Sequence, residues 1–271
     1  MNKIPQISRI PVVILAGGFG TRMREQTEFI PKPMVPIGDR PILWHIMKIY
    51  AHYGFRRFIV CLGYKGDTIK EFFYHYHIHN CDFTVKLGNH KDIKIHNTHG
   101  EDDWEVTLVH TGLAAMTGAR IKRIERYVPD ADVFMLTYGD GVADINLQDL
   151  LEFHFHHGKI ATITGVRPPS RFGELVTENH QVVQFSEKPQ ISSGFINGGF
   201  FVFNKRVFSY VTDADACTLE KEALENLTHD NELMMYEHRG FWQCMDTLRN
   251  MDLLNQCWQE GRALWKVWKD T

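Results

Sequence analysis

Cysteine is scarce and unpatterned: the 271 residues hold only Cys61, Cys81, Cys217, Cys244 and Cys257. An odd count with no Cys-x-x-Cys spacing suggests neither a disulfide framework nor a zinc site, and a reducing cytoplasm fits such thiols best. Long apolar runs are missing as well. No stretch reaches the roughly 18 apolar residues that a membrane-crossing helix needs, and residues 1–9 lack the apolar core of a signal peptide. The expectation is a soluble protein with no membrane partner. An excess of positive charge is the third absence. Thirty Lys and Arg against 33 Asp and Glu leave a formal net charge of −3. That balance cannot neutralise a nucleic-acid backbone, so no nucleic-acid partner is expected and any phosphate binding has to be local. Repeats, low-complexity tracts and composition shifts are also lacking, so residues 1–271 read as one continuous domain. A chain of this length can bury roughly 75% of the surface its unfolded form exposes.

What is present alternates between strand and helix periods. Residues 10–16 form a short run rich in β-branched residues that stops at Gly17-Gly18, as a buried strand feeding a loop does. After Pro41, residues Ile42, Leu43, Ile46, Met47 and Tyr50 share one helical face, and Gly54 ends that pattern before a strand over 58–62. Thr117 reads as the N-cap of a helix with a buried stripe of Ile121, Ile124 and Val128, followed by a strand over 133–138. This order predicts an α/β fold, a Rossmann-like mixed and mainly parallel sheet flanked by helices. Strand-like stretches at 160–166, 181–186 and 196–203 predict a smaller, β-rich part. A last helix starts near Asp246, turns Leu248, Met251, Leu254 and Trp258 inward, and stops at Gly261. The approximate parts are 10–158, 159–246 and 247–271.

Three groups of residues carry chemistry. The first is Leu15-Ala16-Gly17-Gly18-Phe19-Gly20-Thr21-Arg22, with Pro31-Lys32-Pro33-Met34 downstream. Glycines after a strand let backbone amides approach a phosphate chain, and Arg22 and Lys32 supply charge. An arginine clamps two oxygens at once, whereas a lysine is a compact point charge. The loop matches neither the P-loop nor the dinucleotide-binding spacing. The second group is Asp140, just past the strand over 133–138, where open α/β sheets gather ligands. A carboxylate there suits Mg²⁺, which prefers hard oxygen ligands, although Asp140-Gly141 is equally a common turn pair. The third is Glu187-Lys188-Pro189, with Asn197-Gly198-Gly199 opening the next apolar run. Taken singly, these are also ordinary surface-turn and strand-edge residues.

Gly17-Gly18-x-Gly20-Thr21-Arg22 with Lys32-Pro-Met resembles the loop of sugar-phosphate nucleotidyltransferases. Similarity to their glucose-1-phosphate cytidylyltransferase branch continues through Pro41-Ile-Leu-Trp44-His45, Gly63-Tyr-Lys-Gly, Tyr138-Gly139-Asp140-Gly-Val-Ala-Asp144, Ile196-Asn-Gly-Gly and Gly240-Phe-Trp-Gln. It spans nearly the whole chain. The resemblance implies Mg²⁺-dependent conversion of CTP and glucose 1-phosphate into CDP-glucose and pyrophosphate. It assigns catalysis to Arg22, Lys32, Asp140 and Asp246, with Asp140 and Asp246 as the metal pair, though Asp246 is also a plausible N-cap. The nucleotide site it implies comprises Leu15, Ala16, Gly17, Gly18, Gly20, Thr21, Arg22, Lys32, Thr111, Thr117, Arg120 and Gly139. Phe172, Gly173, Glu187, Lys188, Asn197 and Gly198 would hold the sugar phosphate.

It further implies a cytoplasmic homo-oligomer and, by analogy, CDP-linked sugars for surface polysaccharide such as O-antigen. Two positions depart from the family pattern: Ala119 stands for a glycine and His110 for an aspartate. If that glycine were needed for positive φ, Ala119 would be strained; if it only opens a helix, alanine is harmless. Thymidylyl, uridylyl and adenylyl transferases share the same loop and carboxylates, so base choice stays open. A non-catalytic nucleotide-sugar sensor is the other reading, but it would not need Arg22, Lys32, Asp140, Lys188 and Asp246 together.

The fifteen histidines tempt a metal reading at His75, His77 and His79, or at His154, His156 and His157. On a helix, positions i and i+2 point about 200° apart, so neither group forms one chelating face and both read as solvated helix faces, with an i, i+4 pairing of His75 and His79 left open. Trp258, Trp265 and Trp268 read as packing or subunit contacts.

Overall fold

The computed structural model describes residues 5–128, 130–167, 174–178, 181–186 and 194–269. Seven strands form its central sheet among the described residues: β1 Pro11–Ala16, β2 Arg57–Leu62, β3 Glu105–His110, β4 Val133–Tyr138, β5 Ala161–Val166, β6 Ile196–Asn204 and β7 Leu233–His238. Their order across the sheet is β7-β5-β6-β4-β1-β2-β3. β4, β1, β2 and β3 are mutually parallel, β6 runs antiparallel between β4 and β5, and β7 returns parallel to β5. The sheet is therefore mixed and mainly parallel, and it runs without a break from the glycine-loop side into the later strands.

Alternation along β1 explains its two-sided burial. Val12, Ile14 and Ala16 belong to one apolar cluster, while Val13 and Leu15 belong to the other, because successive strand side chains point to opposite faces. The first cluster is covered by the helices Ile42–His52, Leu147–His157 and Leu248–Gln259, and the second by Thr117–Arg123 and residues 219–227. All five apolar positions named for the first of these helices are buried. No helix among the described residues is long and apolar enough to cross a membrane.

Three local expectations need correction. Met116, not Thr117, is the N-cap of the helix Thr117–Arg123; the Thr117 hydroxyl instead donates to Glu220 Oε2 at 2.7 Å and accepts from the Leu219 amide at 2.9 Å. Asp246 does not start the last helix. Thr247 caps it in a reciprocal capping box with Asn250, which leaves the Asp246 carboxylate free for other work. His154 is no solvated residue: it is buried, with Nδ1 2.8 Å from Thr162 Oγ1.

The tryptophan-rich tail closes onto the first cluster. His45 lies edge-on to Trp258 at 4.7 Å and beside Trp44, Trp265 and Trp268. Its Nε2–H donates to Ile37 O at 3.0 Å, and its Nδ1 accepts from Trp265 Nε1 at 3.4 Å, so the neutral ring is satisfied at both nitrogens. Trp265 is fully buried, which makes packing its role within the chain.

Candidate active site

The carboxyl ends of β1, β2, β3 and β4 converge on the glycine loop. Gly17 is buried, and Gly18 has open space where a side chain would project. Gly20 adopts φ +62°, a conformation that favours glycine and turns the chain into the short helical segments over residues 21–27. Thr27 Oγ1 ties that bend down by donating to Gly20 O and Met23 O, both at 3.0 Å. Thr21 and Arg22 are left exposed on the far side of the turn. Leu15 and Ala16 are buried, and Leu15 O accepts from the Gly139 amide at 3.0 Å, joining the loop to the end of β4.

A short antiparallel ladder brings the two carboxylates together. Gly141–Ala143 pairs with Trp242–Cys244 in the register Cys244 to Gly141, and the next bond runs from Met245 N to Asp140 O at 2.8 Å. Asp140 and Asp246 thus emerge side by side at the end of the ladder although 106 positions separate their numbers (246 − 140). Lys32, presented by the turn Lys32–Met34, stands between them: its Nζ is 2.5 Å from Asp140 Oδ2 and 2.5 Å from Asp246 Oδ1. Arg22 Nη1 reaches Asp246 Oδ2 at 2.5 Å from a side chain that is 69% exposed. Two cations and two anions balance in charge.

Burial favours the neutral form of both central groups, and the contacts outweigh it. Desolvation alone would lower the Lys32 pKa, yet Asp140 and then Asp246 hold it above its ordinary value. Desolvation would raise the Asp246 pKa, yet the Lys32 hydrogen bond and charge, with Arg22 behind them, hold it below the usual carboxylate value. Lys32 and Asp246 are therefore both held in their charged forms.

Arg120 is placed quite differently. It is 4% exposed and directs its guanidinium at neutral acceptors: Leu62 O, Thr111 Oγ1, Gly112 O and Gly17 O, at 2.8–3.1 Å. The group fills the space where a Cβ on Gly17 or Gly63 would stand, so both glycines are packing requirements of this arginine. Thr111 is spent on the same clamp, donating from both N and Oγ1 to Leu62 O. Ala119 carries no positive φ and sits buried in the helix, so the departure at that position costs no backbone strain. His110 is exposed at the end of β3.

A second polar chain leads away from the glycine loop. Asn197 Nδ2 donates to Tyr138 Oη at 3.1 Å, Tyr138 donates to Glu220 Oε1 at 2.6 Å, and Glu220 Oε2 accepts from Thr117. Burial, then Glu220, pushes the Tyr138 pKa upward, so its hydroxyl stays a donor. Asn197 Oδ1 also takes the Gly199 amide at 2.9 Å. Gly198 uses its missing side chain inside the sheet, where a Cβ would meet Val166 Cγ1 at 2.6 Å. Its carbonyl accepts from Trp242 Nε1 at 2.7 Å. Sequence reasoning missed Glu220 and Tyr138 as partners; nothing in the local pattern of either announces the pairing. Phe172, Gly173, Glu187 and Lys188 lie outside the described residues.

A glycine loop at the end of the first parallel strand, with a lysine and arginine on a carboxylate pair, defines a class: proteins that bind a nucleotide's phosphate chain and stabilise charge on it. The chain belongs to the nucleotidyl transferase family, whose model matches residues 11–271, and it is a nucleotidyltransferase enzyme. It is similar to the glucose-1-phosphate cytidylyltransferase of Salmonella typhi, at 50% identity over 257 residues, covering 95% of this chain and 99% of that protein. It is 44% identical over 263 residues to the probable glucose-1-phosphate cytidylyltransferase of Bacillus subtilis (strain 168), covering 94% of this chain and 99% of that one. Among solved structures, HddC from Yersinia pseudotuberculosis matches with a TM-score of 0.67 at 23% identity, over 92% of this chain and 99% of that one, a likeness of fold.

Proposed function

We propose that this enzyme transfers the cytidylyl group of CTP to glucose 1-phosphate, releasing pyrophosphate and forming CDP-glucose. The observation that carries the reading is the convergence of Arg22, Lys32, Asp140 and Asp246 at the mouth of the glycine loop, in a chain half identical to cytidylyltransferases over nearly its full length. The reaction is one in-line displacement: a phosphate oxygen of glucose 1-phosphate forms a bond to the CTP α-phosphorus as the bond to pyrophosphate breaks. The attacking oxygen is already anionic, so no general base is needed, and catalysis reduces to positioning and charge neutralisation.

Each residue has a share in that work. The Gly17–Gly20 backbone offers amides to the phosphate chain, with Gly18 leaving room for close approach. Arg22, exposed and held at one end by Asp246, clamps the departing pyrophosphate. Lys32 neutralises the α-phosphate, exchanging carboxylate partners for phosphate oxygens, and Lys188 neutralises the incoming phosphate. Arg120 and Thr111 hold the strand ends and keep the loop in shape, supporting the nucleotide site from beneath. Asn197 stands on the sugar side and is linked through Tyr138 and Glu220 to Thr117 on the nucleotide side.

Asp140 and Asp246 fit a magnesium site, because both offer hard oxygens to a single point, each 2.5 Å from one Nζ. Bound there, Mg²⁺ would supply charge neutralisation for the phosphate oxygens. We further infer a cytoplasmic homo-oligomer whose product feeds surface-polysaccharide synthesis, on the strength of the family resemblance; sedimentation of the purified protein tests the assembly.

The deciding assay offers CTP, UTP, dTTP, ATP and GTP separately with glucose 1-phosphate and Mg²⁺, and reads pyrophosphate release with and without EDTA. EDTA-sensitive release with CTP alone is expected. Release with a different nucleotide would overturn the base, and silence with all five would overturn the substrate pair.

A further inference from the structure

The chain leaves β2 through the helix Gly66–Tyr74 and the short helix Tyr76–Asn80, forms the hairpin Phe83–Lys86 with Asn89–Ile95, and returns through residues 96–104 to β3. That return brings three soft or borderline donors to one place. His77 Nδ1 and His99 Nε2 face each other at 3.1 Å, and Cys81 lies one helical turn beyond His77, its amide bonded to His77 O at 2.9 Å. The ligand atoms of His77, Cys81 and His99 all lie within 4.8 Å of one another. In a tetrahedral zinc site, bonds of about 2.0–2.3 Å place neighbouring nitrogen and sulfur ligands roughly 3.3–3.7 Å apart. The His77–His99 pair is already that close, and the widest pair of the cluster reaches that spacing by closing about 1–1.5 Å.

The surroundings are those of a held ligand set. His99 is 8% exposed, and its Nδ1, the nitrogen facing away from His77, lies 3.5 Å from Glu101 Oε2. Glu101 is itself pinned through Oε1 by Lys48 at 2.9 Å, and the Tyr76 ring packs edge-on against His99 at 4.9 Å. The Glu101 amide also donates to the His99 Nδ1 at 3.3 Å, so Glu101 orients the ring from backbone and side chain; with a metal on Nε2, Nδ1 would carry the proton and turn to the Glu101 carboxylate. Asp102 Oδ1 lies 3.3 Å from His99 Nε2, partly exposed and outside the three-ligand cluster, which leaves the fourth position to water. We propose that His77, Cys81 and His99 form a Zn²⁺ site that staples the helix Tyr76–Asn80 to the return segment and so closes the base of the hairpin.

The donor set selects the ion. One thiolate with two imidazoles favours Zn²⁺ over Mg²⁺, whereas Asp140 and Asp246 offer only oxygen and suit Mg²⁺. The two sites therefore separate by metal type. Cysteine spacing by itself concealed this cluster, because the two other ligands are histidines, one of them supplied across the hairpin.

The test uses the full-length protein, stripped with a chelator, dialysed, and titrated with Co²⁺ in the presence of excess Mg²⁺. The expected result is a single equivalent bound with a thiolate-to-cobalt charge-transfer band and tetrahedral visible bands, both displaced by Zn²⁺. Cys81→Ser should abolish the charge-transfer band and Cys244→Ser should keep it; Cys244 is the control because its Sγ lies 3.7 Å from Asp246 Oδ2. Glu101→Gln should weaken Zn²⁺ binding by about 10–100-fold. A readout without substitutions is alkylation mapped by mass spectrometry, in which Zn²⁺ should protect Cys81. Absence of the thiolate band in the native protein, its survival in Cys81→Ser, or full alkylation of Cys81 with Zn²⁺ present would each overturn the site.

Discussion

Lys32 meets carboxylates just past β4 and the Trp242–Cys244 strand, Arg120 meets the ends of β1, β2 and β3, and these partners separate their roles. Lys32 is held by two carboxylates, which are themselves charged and can accept another cation in its place. Arg120 is held by three backbone carbonyls and a threonine hydroxyl, none of which can leave without unpacking β1, β2 and β3. A cation among exchangeable anions can be handed to a phosphate. A cation among fixed neutral acceptors is part of the scaffold, and its desolvation lowers its pKa from the ordinary arginine value.

Substitution should split the pair cleanly. Lys32→Ala is expected to lower turnover on the order of 100-fold or more, as loss of a preorganised charged contact does, with the unfolding midpoint little changed. Undiminished turnover would remove Lys32 from the reaction. Arg120→Met should do the reverse, reducing unfolding free energy by about 2–4 kcal/mol. Gly112 O would lose its guanidinium partner, while Leu62 O keeps the Thr111 donors and Gly17 O keeps the Tyr64 amide. Equal urea midpoints for Arg120→Met and the native protein would contradict the clamp.

A comparison of buried neutral and paired charged groups extends to pH. Burial lowers the His45 pKa from 6.5 to about 4, so between those values the unfolded state binds a proton that the folded state refuses. Stability is then complete above about pH 6.5, falls as pH drops through the window, and levels off below about 4. At about 1.4 kcal/mol per pKa unit the full loss is about 3 kcal/mol. His154, lowered to about 3 by burial and then His157, acts in the same sense. Thermal unfolding followed from pH 7 to pH 4 should show the decline, and a His45→Gln protein should show a shallower one. The smallest effect is expected at Glu220→Gln, which weakens the bridge between Thr117 and Tyr138 by about 1 kcal/mol. Calorimetry that finds no change would make Glu220 a bystander.

Much of the fold was legible because its signals are local. β1, β2 and β4 announced themselves as short β-branched or apolar runs, and the helix Ile42–His52 by five residues on one face. The expectation failed where a side chain had a better partner far away in sequence. Thr117 looked like a cap but bonds Glu220 and Leu219; His154 looked solvated but sits on Thr162 beneath the sheet. Asp246 looked equally like a cap, and only the adjacent capping box at Thr247 released it.

The residue types at the site came from the sequence alone: a glycine loop behind a buried strand, a lysine and arginine beyond it, and a carboxylate past β4. Local backbone preference and side-chain chemistry are enough to read those. Tertiary structure decided which of these groups meet. The antiparallel register of Gly141–Ala143 with Trp242–Cys244 made Asp140 and Asp246 a pair, and burial set the Arg120 guanidinium among neutral acceptors at the strand ends. The hairpin likewise carried His99 to His77 and Cys81. Each of these is a contact between distant positions, set by how strands align and which surfaces lose water, and no local period along the chain encodes it.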